Sequence, residues 1–186
     1  MNLTTDKTKA KYEKQEMIDI EKCRITRYPA KVLAGQAKPV ENIDDNIRQL
    51  VKKMTEIMIE RKGVGLAAPQ VGVPLRLFII SLDGSPQNVR VYINPTVTSD
   101  GTIASNKEGC LSVPGVFTKI RRYKTCKVIA TDLDGNEFSE EAEGLYARAL
   151  QHEYDHIEGI IIVNRMTQTA RIAHRRQLKK LTEQNK

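Results

Sequence analysis

An H-E-x-x-H motif near the C-terminus contains the residues of this chain with the clearest chemical capacity, His152, Glu153 and His156. Residues four apart lie on the same face of a helix, so both imidazoles can bind a single metal ion. Glu153 lies beside them, where a carboxylate can exchange protons with a water that the metal polarises. The motif therefore indicates metal-assisted hydrolysis of an amide bond, a chemistry that several unrelated enzyme classes share.

A catalytic site of this kind usually takes three protein ligands and leaves one position for water, so one ligand lies outside the motif. The residues downstream do not supply it. Ile162 occupies the position of the third histidine in the metzincin pattern. Glu158 is too close to His156 to reach the same ion, and Glu183 and His174 belong to a basic tail. The third ligand should therefore come from upstream.

Cys110 is the strongest upstream candidate, because it lies in a glycine-flanked turn between Glu108 and Gly115. A thiolate with two imidazoles is a borderline-soft ligand set that suits Fe(II), Zn, Ni or Co. The ordinary alternative for a lone cysteine is a buried, inert thiol. We keep that interpretation for the other two cysteines, Cys23 and Cys126.

A third block, Gly63-Val64-Gly65-Leu66-Ala67-Ala68-Pro69-Gln70, follows the first predicted helix. On its own, a G-x-G pattern usually marks a loop or a helix cap. Its small residues also let a ligand or another backbone approach closely. The side-chain amide of Gln70 is a donor that could face a developing oxyanion.

Together, the three blocks resemble the signature blocks of the peptide deformylase family in their order, their spacing and their residues. The blocks are residues 63–70, 108–112 and 151–156, and the resemblance spans roughly residues 25–165. The residues from Glu108 to Gly115, together with Tyr154, are most similar to the type 1B subtype of bacteria and plant organelles. The resemblance implies a hydrolase that removes the formyl group from the N-formylmethionine of nascent polypeptides and releases formate.

The resemblance also implies a role for each residue of the reaction centre. Cys110, His152 and His156 would bind a divalent metal ion, Fe(II) by expectation, with Zn, Ni or Co as possible replacements. Glu153 would move the proton of the attacking water. Gln70 and the backbone N–H of Leu111 would stabilise the oxyanion.

The substrate-binding positions follow from the same resemblance. Val64, Leu145 and Ala149 match positions that line the family's pocket for the methionine side chain. The backbone around Gly65 and the segment after Leu111 would bind the substrate peptide as an added strand. Two alternatives stay open at this point, a zincin-type peptidase and a non-catalytic metal protein with the same fold.

The pattern of apolar residues predicts helices over residues 43–62, with Gly63 as the C-terminal cap, and over residues 143–157, which carry the metal motif. Strands are predicted over residues 75–80, 90–93, 126–130 and 160–163, with a hairpin at Asp134-Gly135. The fold class is α+β, with antiparallel strands around a central metal-bearing helix and a basic C-terminal helix. We expect a charged extension (1–22), a catalytic domain (23–166) and a basic helix or tail (167–186).

Composition indicates a cytoplasmic protein with no membrane segment. The 186 residues contain three cysteines, a pattern of reduced thiols, and the N-terminal stretch is too acidic and too polar for a targeting signal. The net charge of +7 favours anionic partners, or solubility alone.

The basic tail could contact ribosomal RNA, or could be a solvated helix packed through Ile172 and Leu178. Neither DNA nor a membrane is expected as a partner, and the oligomeric state is not predicted.

Overall fold

The computed structural model of the chain describes residues 18–185, so most of the predicted N-terminal extension lies outside the described residues. The helices are α1 (Asp45–Glu60), α2 (Gly144–Ile157), α3 (Ile162–Arg165), α4 (Gln168–Ala173) and α5 (Arg175–Gln184). The strands are β1 (Gly65–Ala67), β2 (Leu77–Ile80), β3 (Arg90–Thr98), β4 (Ile103–Gly109), β5 (Phe117–Tyr123), β6 (Thr125–Thr131) and β7 (Glu137–Glu143). Short 3₁₀ helices occur at Ile20–Lys22, Lys31–Ala34, Ala68–Val71 and Pro86–Asn88. None of the helices within residues 18–185 combines the length and apolar character that crossing a bilayer requires.

Two antiparallel sheets carry the fold, which confirms the predicted α+β class. The larger sheet has five strands in the order β1-β2-β3-β6-β7, and β4 pairs with β5 in a separate hairpin. Strand β1 therefore lies at one edge of the larger sheet. The predicted turn at Asp134-Gly135 joins β6 to β7, and Gly135 takes the left-handed conformation with φ 86°.

Helices α1 and α2 cover opposite faces of the larger sheet. All four residues of β2 are buried: Leu77 and Ile79 pack into the cluster of α1, while Phe78 and Ile80 pack into the cluster of α2. This alternation follows from the two-residue period of a strand. Helix α2, which carries the predicted metal motif, is consequently central, because it contacts β1, β2, β3, β5, β6 and β7.

Helix α1 forms where its apolar stripe predicts it. The Asp44 side chain caps the helix by accepting a hydrogen bond from the Ile47 N–H at 3.1 Å. Gly63 follows the end of the helix, as predicted, but the residue in the left-handed conformation is Lys62, at φ 54°. The Gly63 N–H then bonds to the Met58 carbonyl, and a Cβ at Gly63 would lie 3.1 Å from the Leu111 side chain.

The strand predicted over residues 160–163 is wrong. Gly159, at φ 74°, ends α2, and the chain enters the short helix α3. The reason is local: the Asn164 side chain accepts a hydrogen bond from the Ile161 N–H at 3.0 Å, which caps that helix.

The basic tail is helical, as predicted, but it divides into α4 and α5 at His174. Leu178 and Leu181 are buried in a cluster that includes Val113 and Val116 of the loop after Cys110. Ile172 is 66% exposed, so its predicted packing role is wrong. Helix α5 therefore supports the loop that leads away from the Cys110 site.

Candidate active site

Helix α2 and the end of β4 bring Cys110, His152 and His156 together. One ligand-capable atom from each residue lies within 4.8 Å of the others, and Cys110 Sγ is 3.3 Å from His156 Nε2. Within residues 18–185 this is the only group of at least three Cys, His, Asp or Glu side chains with such spacing. The thiolate and imidazole donors suit a transition-metal ion.

An acidic neighbour orients His152. Glu108 Oε2 lies 2.9 Å from His152 Nδ1, which leaves Nε2 of the imidazole free to face the metal group. Arg122 in turn donates to both oxygens of Glu108, at 3.1 and 3.2 Å, and to Asp155 at 2.6 Å. Metal-binding histidines are commonly held in this way by a carboxylate on the other ring nitrogen. The sequence alone assigned no role to Glu108, although its place two residues before Cys110 was a usable signal.

Burial and neighbouring charges shift the pKa values of both histidines, His152 and His156. Burial opposes the charged form of His152, but hydrogen bonds to Cys110 and Glu108 outweigh it and raise the pKa of this imidazole to about 10. Burial lowers the pKa of His156 well below its usual value, and the charge of His152 adds to the effect. A histidine must be deprotonated to bind a metal ion, so binding through His152 would release its proton.

Glu153 is buried next to His152 and lines a cavity that Cys110 and His152 also line. Burial raises the pKa of its carboxyl to about 7, against the opposing charge of His152. Within the described residues its Oε2 makes no hydrogen bond. The carboxylate thus keeps an acceptor for a further molecule in the site.

Gly65 provides the space that Glu153 occupies. A Cβ atom at Gly65 would lie 2.5 Å from Glu153 Oε1 and 2.8 Å from Glu153 Cδ. Contacts of that length do not occur for real side chains, so any larger residue would displace the carboxylate. The sequence predicted close approach at this glycine but did not identify the side chain that needs it.

Gln70 is also fixed in orientation. It lies in the 3₁₀ helix Ala68–Val71, and its Oε1 accepts a hydrogen bond from the Ala67 N–H at 2.8 Å. Its amide nitrogen therefore faces Cys110 Sγ at 3.5 Å and Ser112 Oγ at 3.4 Å. Leu111, the other residue expected to stabilise an oxyanion, lies beside Cys110 in the same cavity wall.

A cavity of about 840 Å³ opens beside these groups. It contains every substrate-binding position expected from the sequence, namely Val64, Gly65, Leu145 and Ala149. Val64 and Leu145 are 40% and 46% exposed, and Phe117, which the sequence did not identify, is 58% exposed in the same cavity. Exposed apolar side chains gathered in a concave site favour an apolar ligand group.

The residues that the sequence analysis excluded as metal ligands lie outside the Cys110 site. Burial raises the pKa of the Cys126 thiol to about 11 and also raises that of Cys23, which keeps both thiols protonated. Glu158 pairs with Arg76 at 2.7 Å, and His174 contacts Gln177 in the tail. The peptidase alternative therefore has no downstream ligand among the described residues.

Comparisons with known proteins agree with this geometry. The family model described as polypeptide deformylase matches residues 22–171. The chain is 43% identical over 134 residues to peptide deformylase 1 of Clostridium perfringens, covering 72% of this chain and 90% of that protein. The crystal structure of a peptide deformylase from Legionella pneumophila matches with a TM-score of 0.82 and 38% identity, covering 87% of this chain and 96% of that one. The structure of Arabidopsis thaliana peptide deformylase 1B in complex with an inhibitor has a TM-score of 0.82 and 34% identity, covering 86% and 90%.

These matches span most of the chain and of its relatives, and they agree with the fold and with a metal-capable Cys/His group. The chain belongs to the polypeptide deformylase family, the metal-dependent hydrolases that remove the formyl group from the N-formylmethionine of nascent polypeptides.

Proposed function

We propose that Cys110, His152 and His156 hold one divalent metal ion, with Fe(II) as the ion in the cell and Zn, Ni or Co as functional substitutes. The observation that carries this proposal is the meeting of one thiol and two imidazoles within 4.8 Å, beside a cavity that also contains Glu153 and Gln70. The fit is supported by the bond between Glu108 and His152 Nδ1, since it leaves Nε2 as the ligand atom. When bound, such an ion supplies Lewis-acid chemistry that can lower the pKa of water from 15.7 to about 7.

Glu153 is the proposed proton carrier. Its carboxylate takes a proton from the water that attacks the formyl carbon and later delivers a proton to the leaving amine of methionine. Its burial excludes competing solvent, and its Oε2 has no hydrogen-bond partner within the described residues. Gly65 leaves room for the carboxylate in this position.

Gln70 and the Leu111 backbone N–H are the proposed oxyanion donors. The Ala67 N–H fixes the amide oxygen of Gln70, so the amide nitrogen stays directed toward Cys110 without rearrangement during the reaction. Fixed donors of this kind stabilise the charge that develops on the formyl oxygen in the transition state. Losing one of them typically lowers turnover by about 10²–10³-fold.

The formylmethionine binds, in this proposal, between the edge of the larger sheet and α2. Strand β1 is an edge strand, so the backbone near Gly65 can pair with an extended peptide. The exposed apolar surfaces of Val64 and Leu145, together with Ala149, then surround the methionine side chain.

The decisive experiment is anaerobic formate release from formyl-Met-Ala-Ser, with metal analysis of the same sample. We expect formate in proportion to bound metal. The absence of formate from the Fe(II), Zn, Ni and Co forms alike would overturn the proposal.

We also propose that residues 23–166 carry the catalytic machinery and that the tail at 167–186 supports it and contacts ribosomal RNA. Arg175, Arg176, Lys179 and Lys180 are exposed on α5, whereas Leu178 and Leu181 are its buried residues. Such side chains suit phosphate contacts. Replacing all four by Gln should weaken co-sedimentation with ribosomes while Leu178 and Leu181 keep the helix packed; unchanged co-sedimentation would exclude the tail as an anchor.

We propose a cytoplasmic location because the cysteines of the chain form no disulfide among the described residues. Cys23, Cys110 and Cys126 are all free. Sparse, unpaired cysteines are typical of a reducing compartment.

A further inference from the structure

Basic side chains surround the mouth of the catalytic cavity. They come from four separate segments, and they are Arg24, Arg27, Arg61, Lys62, Lys107 and Arg148. We call this set the cationic rim. All of its members are exposed except Arg148, which is half-buried. Charges from distant parts of the chain converge on one site, which is unlike the scattered charges of an ordinary solvated surface.

The acids of the cavity do not neutralise the rim. Only Glu108 and Glu153 among its lining residues are acidic. Both are buried, and Glu108 is already bound by Arg122 and His152. Within residues 18–185, the rim makes one ion pair, an exposed contact of 3.5 Å between Arg61 and Glu60.

The rim also lies close to the proposed substrate path. Arg148 is one helical turn before His152 on the face of α2 that lines the cavity. Arg61 and Lys62 immediately precede the β1 edge, and Lys107 lies over the ring of Phe117 at 5.7 Å from its centroid.

Arg24 and Arg27 are held beside the same site by the backbone of their segment. The Thr26 N–H donates to the Gln70 carbonyl at 2.8 Å, and the Tyr28 N–H donates to the Ser112 carbonyl at 2.9 Å. These two bonds tie the segment to both sides of the proposed oxyanion site.

We propose that the cationic rim makes this enzyme prefer nascent chains that carry acidic residues directly after the formylmethionine. The inference rests on the proposed function of the cavity. Each exposed pair of opposite charges is worth little, about a two- to fivefold gain in binding. Several cations around one concave, low-dielectric site add their fields and attract anionic substrates from solution.

The test compares three peptide amides, formyl-Met-Glu-Glu-amide, formyl-Met-Gln-Gln-amide and formyl-Met-Lys-Lys-amide, by kcat/KM for formate release. The amides remove the C-terminal carboxylate, so the Glu and Gln peptides, which have nearly the same shape, differ mainly in side-chain charge. We expect the Glu peptide to exceed the Gln peptide by about fivefold or more at low salt, mainly through KM, and the Lys peptide to be slowest. The preference should largely vanish near 1 M salt, where the Debye length is about 3 Å.

Variants assign the effect to the rim. Lys107→Gln and Arg148→Gln should each lower the ratio of kcat/KM for the Glu peptide over the Gln peptide by about two- to fivefold, and Arg148→Glu should favour the Lys peptide. Lys52→Gln, an exposed change on α1 outside the cavity, is the matched control and should leave the ratio unchanged.

The outcomes separate this inference from the proposed function. Equal kcat/KM for the three peptides, or variants that slow all three equally, would overturn the preference while leaving deformylation intact. Variants that lose ribosome co-sedimentation without changing the peptide ratios would also overturn it and assign the rim to RNA. Failure to release formate from any of the peptides would instead overturn the proposed function.

Discussion

Glu153 packs directly against the backbone of Gly65, where a Cβ atom would lie 2.5 Å from the carboxylate oxygen Oε1. The two residues are far apart in sequence and belong to β1 and α2. The contact links the edge strand proposed to bind the peptide to the group proposed to move the proton. A single glycine therefore belongs to the proposed substrate strand and also fixes the position of the proposed base.

Gly65→Ala should lower kcat by about 10²-fold, because a shift near 1 Å in a reacting group can cost that much. The added methyl group must move the Glu153 carboxylate, while the metal ligands keep their places. Steady-state formate release and metal content would be measured together. The control is Gly35→Ala, where the nearest atom is 3.9 Å away and φ is −94°. Normal turnover of a folded Gly65→Ala protein would remove the contact from the mechanism.

Gln70→Leu should lower kcat by about 10²–10³-fold, as expected for the loss of one oxyanion donor. The change also removes the acceptor for the Ala67 N–H, so a second variant is needed. Gln70→Glu keeps that acceptor, loses the amide donor and adds a negative charge near Cys110. It should be impaired at least as strongly as Gln70→Leu while keeping more of the thermal stability, and near-normal turnover in Gln70→Glu would exclude Gln70 as a donor.

Glu153→Gln should retain metal and lose hydrolysis by at least about 10²-fold, because the amide fills the same space beside Gly65 but cannot take a proton. Metal content by elemental analysis separates this result from the loss of a ligand. Cys110→Ala is the contrasting variant, since it should lose both metal and activity. Hydrolysis at a near-normal rate by Glu153→Gln would show that another group acts as the base.

The sequence was most informative where the pattern is local. Helices α1 and α2 follow their predicted ranges within about two residues, because apolar residues at helical spacing reveal the buried face. Strands β1, β4 and β5 had no predicted range, and β7 was implied only by the hairpin at Asp134-Gly135. In β4 and β7 most side chains are polar and only partly covered, so the apolar alternation of a strand is missing. The short α3 replaced a predicted strand because a single side-chain cap outweighs the strand propensity of a few apolar residues.

The chemistry-bearing residues of the site were accessible from the sequence, but their supporting contacts were not. Cys110, His152 and Gln70 belong to three sequence blocks that can be recognised when they are taken together. Glu108 is 44 residues from His152, and only the fold brings the two together. The cationic rim is hidden for the same reason, because the sequence reveals only the net charge of +7 and not where the charges converge.

Glu108→Gln should weaken metal binding by about 10–100-fold, the usual cost of removing a carboxylate that holds a metal-binding histidine. The amide cannot provide the negative charge that stabilises the orientation of His152, and it leaves Arg122 with one acidic partner, Asp155. Competition with a chromophoric chelator measures the affinity without relying on activity. The matched control is Glu140→Gln, which removes a largely covered acid paired with Arg90 on the surface of the sheet and should not change metal affinity. Equal metal affinity in the wild-type protein and Glu108→Gln would show that His152 is oriented by the packing of α2 alone.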